Sequence, residues 1–100
     1  MSILGLVGCN KPPKPCIEMD QTTVSIGTPV TFTSCSKRAL SFEWFMDGPA
    51  AAPENSMGWS DEIITHSFSV SGTYTITLNV YSKFGYIGDM ESTTATLVVQ

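Results

Sequence analysis

The sequence has few charged side chains, and basic ones are the scarcest. Only 14% of its 100 residues are charged, with five Lys or Arg against nine Asp or Glu, which gives a formal net charge of −4. The basic residues are scattered along the chain and form no continuous stripe that would neutralise a phosphate backbone. They are Lys11, Lys14, Lys37, Arg38 and Lys83. We therefore expect no nucleic-acid partner.

The chain also lacks a long hydrophobic run and a recognisable set of catalytic groups. No apolar stretch approaches the roughly 20 residues that a membrane-spanning helix needs. His66 is the only histidine, and neither a nucleophile nor a second acid accompanies it in the sequence. Asp61-Glu62 and Asp89 with Glu91 lie in predicted loops or strand edges, without the pairing that glycoside hydrolysis requires. We expect no enzyme activity and no cofactor, and a packing or hydrogen-bonding role for His66.

The first nine residues are similar to a bacterial lipoprotein signal. An apolar run ends at Leu6-Val7-Gly8-Cys9, which resembles the lipobox, where the cysteine thiol receives diacylglycerol before cleavage. The resemblance implies a partial signal segment over residues 1–8 and lipid attachment at Cys9. Secretory signals open with a charged region, yet no Lys or Arg precedes Cys9, so we expect the start to be truncated. The alternative is an ordinary edge strand followed by an unmodified thiol.

Three prolines follow Cys9 and predict an extended segment. Pro12, Pro13 and Pro15 lack backbone donors and favour a polyproline conformation. Residues 9–15 are therefore predicted as a Pro-rich tether of about 20 Å between the lipid and a folded domain at 16–100. With the lipid, this arrangement predicts a bacterial cell-envelope protein, attached to the outer membrane in preference to the inner, with the membrane as a partner.

The two remaining cysteines, Cys16 and Cys35, form an even pair in a chain expected to reach an oxidising compartment. We predict a disulfide between them, because the first strand is expected to begin at Cys16 and the second antiparallel strand to end at Cys35. In the chain-entropy model such a bridge stabilises the fold by about 3 kcal/mol. The competing interpretation, a zinc site, has only two thiols and one histidine, without C-x-x-C spacing. No metal site is predicted.

From Pro15 onward, short strand-like runs alternate with turn residues about every ten positions, which is typical of an all-β sandwich or barrel. In the run from Thr73 to Tyr81, apolar and polar side chains alternate, so one face is expected to be core and the other solvated. The same alternation predicts that Leu40, Phe42 and Trp44 are buried. The predicted strands lie near residues 16–19, 22–26, 29–35, 40–46, 63–69, 73–82 and 91–99.

Three motifs in this body resemble the PKD (polycystic kidney disease) domain family. They are Gly27-Thr28-Pro29-Val30-Thr31-Phe32, then Phe42-Glu43-Trp44, then His66-Ser67-Phe68 leading into the segment from Gly72 to Val80. The resemblance covers residues 16–99 and implies a seven-stranded immunoglobulin-like β-sandwich. In such sandwiches, an indole like that of Trp44 fills the space between the sheets, and a tyrosine placed like Tyr74 sends its hydroxyl to upstream backbone.

The chain departs from the family pattern at Trp44-Phe45-Met46-Asp47-Gly48, where the family carries W-D-F-G-D-G. This segment is one residue shorter and has lost the first acidic residue. Some members of the family are thought to bind calcium, which needs six to eight oxygen ligands. With only Asp47 retained in the motif, we predict no calcium site.

Three aromatic side chains outside the predicted core are candidates for binding. Trp59 lies in the long segment between Gly48 and Asp61, and Phe84 and Tyr86 lie in a later turn. Such rings stack on sugars or on protein partners, and the alternative is that each covers an open end of the sandwich. The predicted function is a non-catalytic envelope lipoprotein domain that binds or displays a protein or carbohydrate. The alternatives are a passive spacer or assembly module and, more remotely, an accessory piece of a hydrolase.

Overall fold

The computed structural model describes residues 12–49 and 60–100. These residues form two sheets, one of three strands in the order β1-β3-β5 and one of four in the order β2-β7-β6-β4, and they contain no helix. The prediction of an all-β, seven-stranded immunoglobulin-like sandwich is confirmed. The strands are β1 (Ile17–Met19), β2 (Thr23–Val24), β3 (Val30–Ser34), β4 (Ser41–Asp47), β5 (Ile63–His66), β6 (Gly72–Lys83) and β7 (Ile87–Val99).

The core follows the predicted alternation. The even-numbered side chains of β6 from Tyr74 to Val80 are buried, and the Thr and Asn side chains between them point away. Trp44 is fully buried, with its ring centroid 6.1 Å from that of Phe32 in the opposite sheet. Because burying one such side chain contributes about 1.5–3 kcal/mol, this row supplies much of the stability of the fold.

Two buried polar groups fix the ends of the core. The indole Nε1 of Trp44 donates to the carbonyl of Asp61 at 2.8 Å. The hydroxyl of Tyr74 donates to the carbonyl of Val70 at 2.6 Å, as expected of a tyrosine corner. Gly48 lies against the Tyr74 ring, where any Cβ would collide with it. The roles predicted for Trp44 and Tyr74 are therefore confirmed.

One core prediction is wrong, because the side chain of Leu40 is 47% exposed. Leu40 has the same parity as Trp44, but it precedes β4 and lies beyond the last core layer. The facing strand β3 ends at Ser34, so no opposite sheet covers the Leu40 side chain. β7 also begins at Ile87, four residues earlier than predicted. It continues the pairing with β6 down to Lys83, past an irregularity in register between Tyr81 and Lys83.

The predicted disulfide is present and joins Cys16 to Cys35, with their Cα atoms 4.9 Å apart. The Cys35 N–H also donates to the Cys16 carbonyl at 3.0 Å. The Cys16 N–H donates to the Ser36 hydroxyl at 3.0 Å. The bridge thus closes the end of the β1–β3 pair, where the antiparallel register brings the two residues together.

Part of the predicted tether packs on the sandwich. Lys14 and Lys37 exchange two backbone hydrogen bonds of 2.9 Å, and Pro13 is buried. Arg38 donates from Nε to the carbonyl of Pro12 at 2.9 Å. Lys14 lies between two prolines and supplies the N–H that they lack, so this stretch can pair after all. The prediction of an extended spacer is therefore corrected for 12–15, and residues 1–11 lie outside the described part of the chain.

Candidate functional site

Of the four residues predicted for lipid attachment or binding, two lie in the described part of the chain and two do not. Cys9 and Trp59 lie outside the described residues. Phe84 and Tyr86 lie in the turn that joins β6 to β7, where they are 72% and 44% exposed. Both are therefore available at the surface, at one end of the sandwich.

Tyr86 is held in an unusual backbone conformation. Its φ is 62°, in the left-handed region that costs a non-glycine residue about 1–2 kcal/mol. The Tyr86 N–H donates to the Ser41 hydroxyl at 3.2 Å, and that hydroxyl donates to the Lys83 carbonyl at 2.5 Å. The Tyr86 ring meets the Tyr81 ring edge-on, with centroids 5.6 Å apart. These contacts fix the turn and join it to the outward face of β6.

The outward face of the four-stranded sheet brings together polar and aromatic side chains from three strands. The β4–β6–β7 register aligns Glu43 with Asn79 and Ser92 in one row, and Ser41 with Tyr81 and Met90 in the adjacent row. A third row holds Phe45, Thr77 and Thr94. We call these three rows, with nine residues, the outer face.

Two hydrogen bonds order the polar groups of the outer face. The Tyr81 hydroxyl donates to Oε1 of Glu43 at 2.7 Å, and the Ser92 hydroxyl donates to Oδ1 of Asn79 at 2.7 Å. The hydrogen bond to Glu43, and secondarily burial, raise the pKa of Tyr81 above its usual value of 10.0. The Tyr81 hydroxyl is the donor of this pair and occupies Oε1 of Glu43, so that the second carboxyl oxygen can accept from another donor.

The sequence-based list of candidate aromatic residues did not include Phe45 and Tyr81. Their side chains are partly buried and share a face with Thr and Asn. The sequence does indicate that the two rings face outward, because each occupies a position that the alternation of its strand assigns to the polar face. In the shortened motif, Phe45 stands next to Trp44, where the family pattern has its first acidic residue.

The described residues offer little for metal or acid–base chemistry. They contain no group of three or more His, Cys, Asp or Glu side chains arranged to hold a metal ion. His66 ends β5, half-buried, with its ring edge-on to that of Phe68 at 4.7 Å. In the same part of the chain, no helix is long and apolar enough to cross a membrane.

Two sheets closed by an inter-sheet tryptophan and a tyrosine corner define an immunoglobulin-like sandwich. Within this class, the PKD domain model matches residues 17–99, more than half of the chain. The chain therefore belongs to the PKD domain family, whose members are generally non-catalytic structural or binding modules.

Solved structures of similar fold agree with this assignment. The PKD1 domain of Vibrio anguillarum Epp is 23% identical, with a TM-score of 0.66, and the alignment covers 91% of this chain and 96% of that one. A structure from work on the promiscuous specificity of carbohydrate-binding modules of the β-sandwich superfamily is 21% identical, with a TM-score of 0.68. That alignment covers 91% of this chain but only 35% of the other. At these identities the likeness shows the fold. A comparison with curated proteins found no match.

Proposed function

We propose that the chain is a non-catalytic binding module of a bacterial cell envelope, anchored by lipid at Cys9, which recognises a carbohydrate through its outer face. The outer face carries this proposal, because it places the Phe45 and Tyr81 rings beside ordered hydroxyl, amide and carboxylate groups. Sugar recognition uses this combination: an aromatic ring covers the apolar face of the sugar, and polar groups bind its hydroxyls.

The resemblance to a carbohydrate-binding module supports the choice of ligand class. This support extends only to the shared sandwich, because fold alone does not decide function. The aromatic and polar groups of the outer face favour a sugar independently of that resemblance. A protein ligand would use the same aromatic residues, and the outer face would then be expected to favour a partner with Arg or Lys beside Glu43.

Glycan-array binding of the folded chain tests the proposal, with Phe45→Ala as the main variant. We expect bound glycan signal from the unsubstituted protein and a severalfold loss in Phe45→Ala, because stacking on one ring contributes about 0.5–1.5 kcal/mol. Ile63→Ala is the matched control, since Ile63 is 58% exposed on the other sheet. Equal loss in both variants, or in Trp59→Ala alone, would contradict the outer face as the binding surface.

The lipid anchor needs a separate test. Cys9→Ser is expected to release the protein from the envelope, and intact-mass analysis of the native form should show an acylated Cys9 as its first residue. An unmodified Cys9 within an uncleaved chain would overturn the anchor.

The second candidate function is a spacer or assembly module. It is favoured by the hydrogen bonds that join the segment before β1 to the sandwich, from Lys14 to Lys37 and from Arg38 to Pro12. Co-purification of one fixed partner protein, together with no glycan signal, would support the spacer over the carbohydrate module.

A further inference from the structure

Three separate segments meet at one end of the sandwich. Residues 12–16 are joined to residues 35–40 by the Lys14–Lys37 backbone pair and by the disulfide. Residues 35–40 in turn lie next to residues 83–87, because Leu40 N–H donates to the Tyr81 carbonyl and the Ser41 hydroxyl donates to the Lys83 carbonyl. We call these three segments the entry end, since the chain enters the sandwich there.

The entry end collects basic side chains that the sequence spreads apart. It contains four of the five basic residues of the chain, all exposed, and its three segments contain no carboxylate side chain. The four are Lys14, Lys37, Arg38 and Lys83. Exposed carboxylates border these segments at Asp61 and Glu62 before β5, where the Ser34 N–H donates to the Glu62 carbonyl, and at Asp89 in β7. The three segments themselves carry only positive side-chain charges, in a chain whose net charge is −4.

The same end also exposes large apolar side chains. Phe84 is 72% exposed, Ile87 59%, Leu40 47% and Tyr86 44%. The turns at the opposite end, next to Gln100, also expose Ile26 and Val70, but residues 25–28 and 67–71 contain no Lys or Arg. Basic side chains around apolar and aromatic ones form the pattern of surfaces that lie at the headgroup level of a membrane.

We propose that the entry end rests on an anionic lipid surface, with Phe84 and Ile87 at the boundary between headgroups and acyl chains. This inference rests on the proposed lipid at Cys9. Only Asn10 and Lys11 separate Cys9 from Pro12, so the lipid attaches within about 11 Å of the entry end. A domain held this closely brings its nearest surface to the membrane, and here that surface is basic and apolar.

The orientation leaves the outer face accessible. Its rows run across β4, β6 and β7 on the side of the sandwich, and Phe84 and Ile87 lie at the end of the β6–β7 hairpin. Tyr86, which contacts Tyr81, stands at the border between the two surfaces. Membrane contact at the entry end and ligand binding at the outer face are therefore compatible.

The test uses the acylated protein, reconstituted in vesicles of phosphatidylglycerol and phosphatidylethanolamine with brominated acyl chains, which quench nearby indoles. Phe84→Trp adds a reporter at the entry end, and Ile26→Trp adds a matched exposed reporter at the opposite end. We expect the fluorescence added by Phe84→Trp to be quenched at least twofold more strongly than the fluorescence added by Ile26→Trp. Equal quenching of the two reporters, or a dimer that shields position 84 in a second copy, would overturn the inference.

Flotation of the same vesicles separates this inference from the proposed anchor. If the protein floats with the vesicles but the two reporters are quenched equally, the anchor stands and the inference fails. If the acylated protein does not float with the vesicles, the anchor itself fails.

A charge comparison tests the electrostatic part. Lys37→Gln with Lys83→Gln removes two positive charges from the entry end, and Ser71→Glu with Thr73→Glu makes the same change in net charge at the opposite end. Quenching in Phe84→Trp should fall only with the first pair, and only on anionic vesicles. An equal fall with both pairs would show that net charge, and not the entry end, governs the contact.

Discussion

At the scale of single residues, Tyr81 and Glu43 show how the outer face is ordered. Both side chains stand on the polar parity of their strands, and the 2.7 Å hydrogen bond between them crosses from β6 to β4. The bond requires a protonated phenol, because the Tyr81 hydroxyl is its donor. It fixes the Tyr81 ring against Tyr86 and leaves it partly exposed.

The raised pKa of Tyr81 gives a measurable consequence. Because the hydrogen bond to Glu43 favours the protonated phenol, Tyr81 should titrate above 10.0 in the folded chain. Its contribution to stability is then fully present below the unfolded pKa near 10 and is lost as the pH rises through the folded pKa. Spectrophotometric titration of the phenols checks this. Glu43→Gln should lower the titration midpoint of Tyr81 toward 10, and Glu18→Gln, a change of the same charge on β1, should not.

At the scale of elements, the strands were predicted well where polar and apolar side chains alternate. β6 has an uninterrupted period-two pattern, and the face predicted to be core is buried from Tyr74 to Val80. The end of β7 alternates in the same way, with Leu97 and Val99 buried. The start of β7 was missed because Gly85, Gly88 and Asp89 indicate a turn in sequence. In the structure, Gly88 has a φ of 86° next to the register irregularity, so the glycine is accommodated within a continuing hairpin.

The N-terminal segment was mispredicted for a similar reason. Proline predicts the absence of pairing, yet a single N–H at Lys14, between two prolines, is enough for one bridge to Lys37. The side chain of Arg38 adds a long-range contact to Pro12 that no local pattern encodes. Long-range partners of this kind depend on the assembled fold and are not visible in the local sequence.

The disulfide makes a testable contribution at this scale. Cys16→Ser with Cys35→Ser should lower the free energy of unfolding by about 3 kcal/mol, because the unfolded chain regains the freedom of the closed loop. Urea denaturation of the double variant and of the chemically reduced protein should give similar losses. An unchanged midpoint after reduction, with free thiols verified by mass, would contradict the prediction. The strand pattern should persist, since β1 is the smallest contributor to the core.

At the scale of the whole molecule, composition and periodicity predicted an all-β sandwich or barrel, and the resemblance to the PKD family implied the immunoglobulin-like sandwich. The spatial arrangement of the charges could not be predicted in either way. Consecutive basic residues of the entry end are as many as 45 positions apart, from Arg38 to Lys83, and only the topology brings them to one end. The outer face similarly combines residues from three strands whose register depends on the complete sheet. The two proposed surfaces could therefore be recognised only after the strand order was known.

The stability of the whole domain should depend on Trp44 more than on any exposed aromatic residue. Trp44→Ala removes the largest fully buried side chain of residues 12–49 and 60–100, leaves a cavity between the sheets and deprives the Asp61 carbonyl of its donor. Deleting a large core aromatic costs about 3–5 kcal/mol, against a total of about 5–10 kcal/mol for a domain of this size. Urea denaturation followed by far-ultraviolet circular dichroism measures the loss.

Phe84→Ala is the matched control, because it also deletes an aromatic ring but from a side chain that is 72% exposed. Its free energy of unfolding should stay within about 0.5 kcal/mol of the unsubstituted protein, since no cavity forms. A loss below about 1 kcal/mol in Trp44→Ala, or equal losses in both variants, would mean that the inter-sheet tryptophan does not hold the sandwich together. With the expected difference, a loss of ligand binding in Trp44→Ala follows from unfolding, whereas a loss in Phe45→Ala reports on the outer face itself.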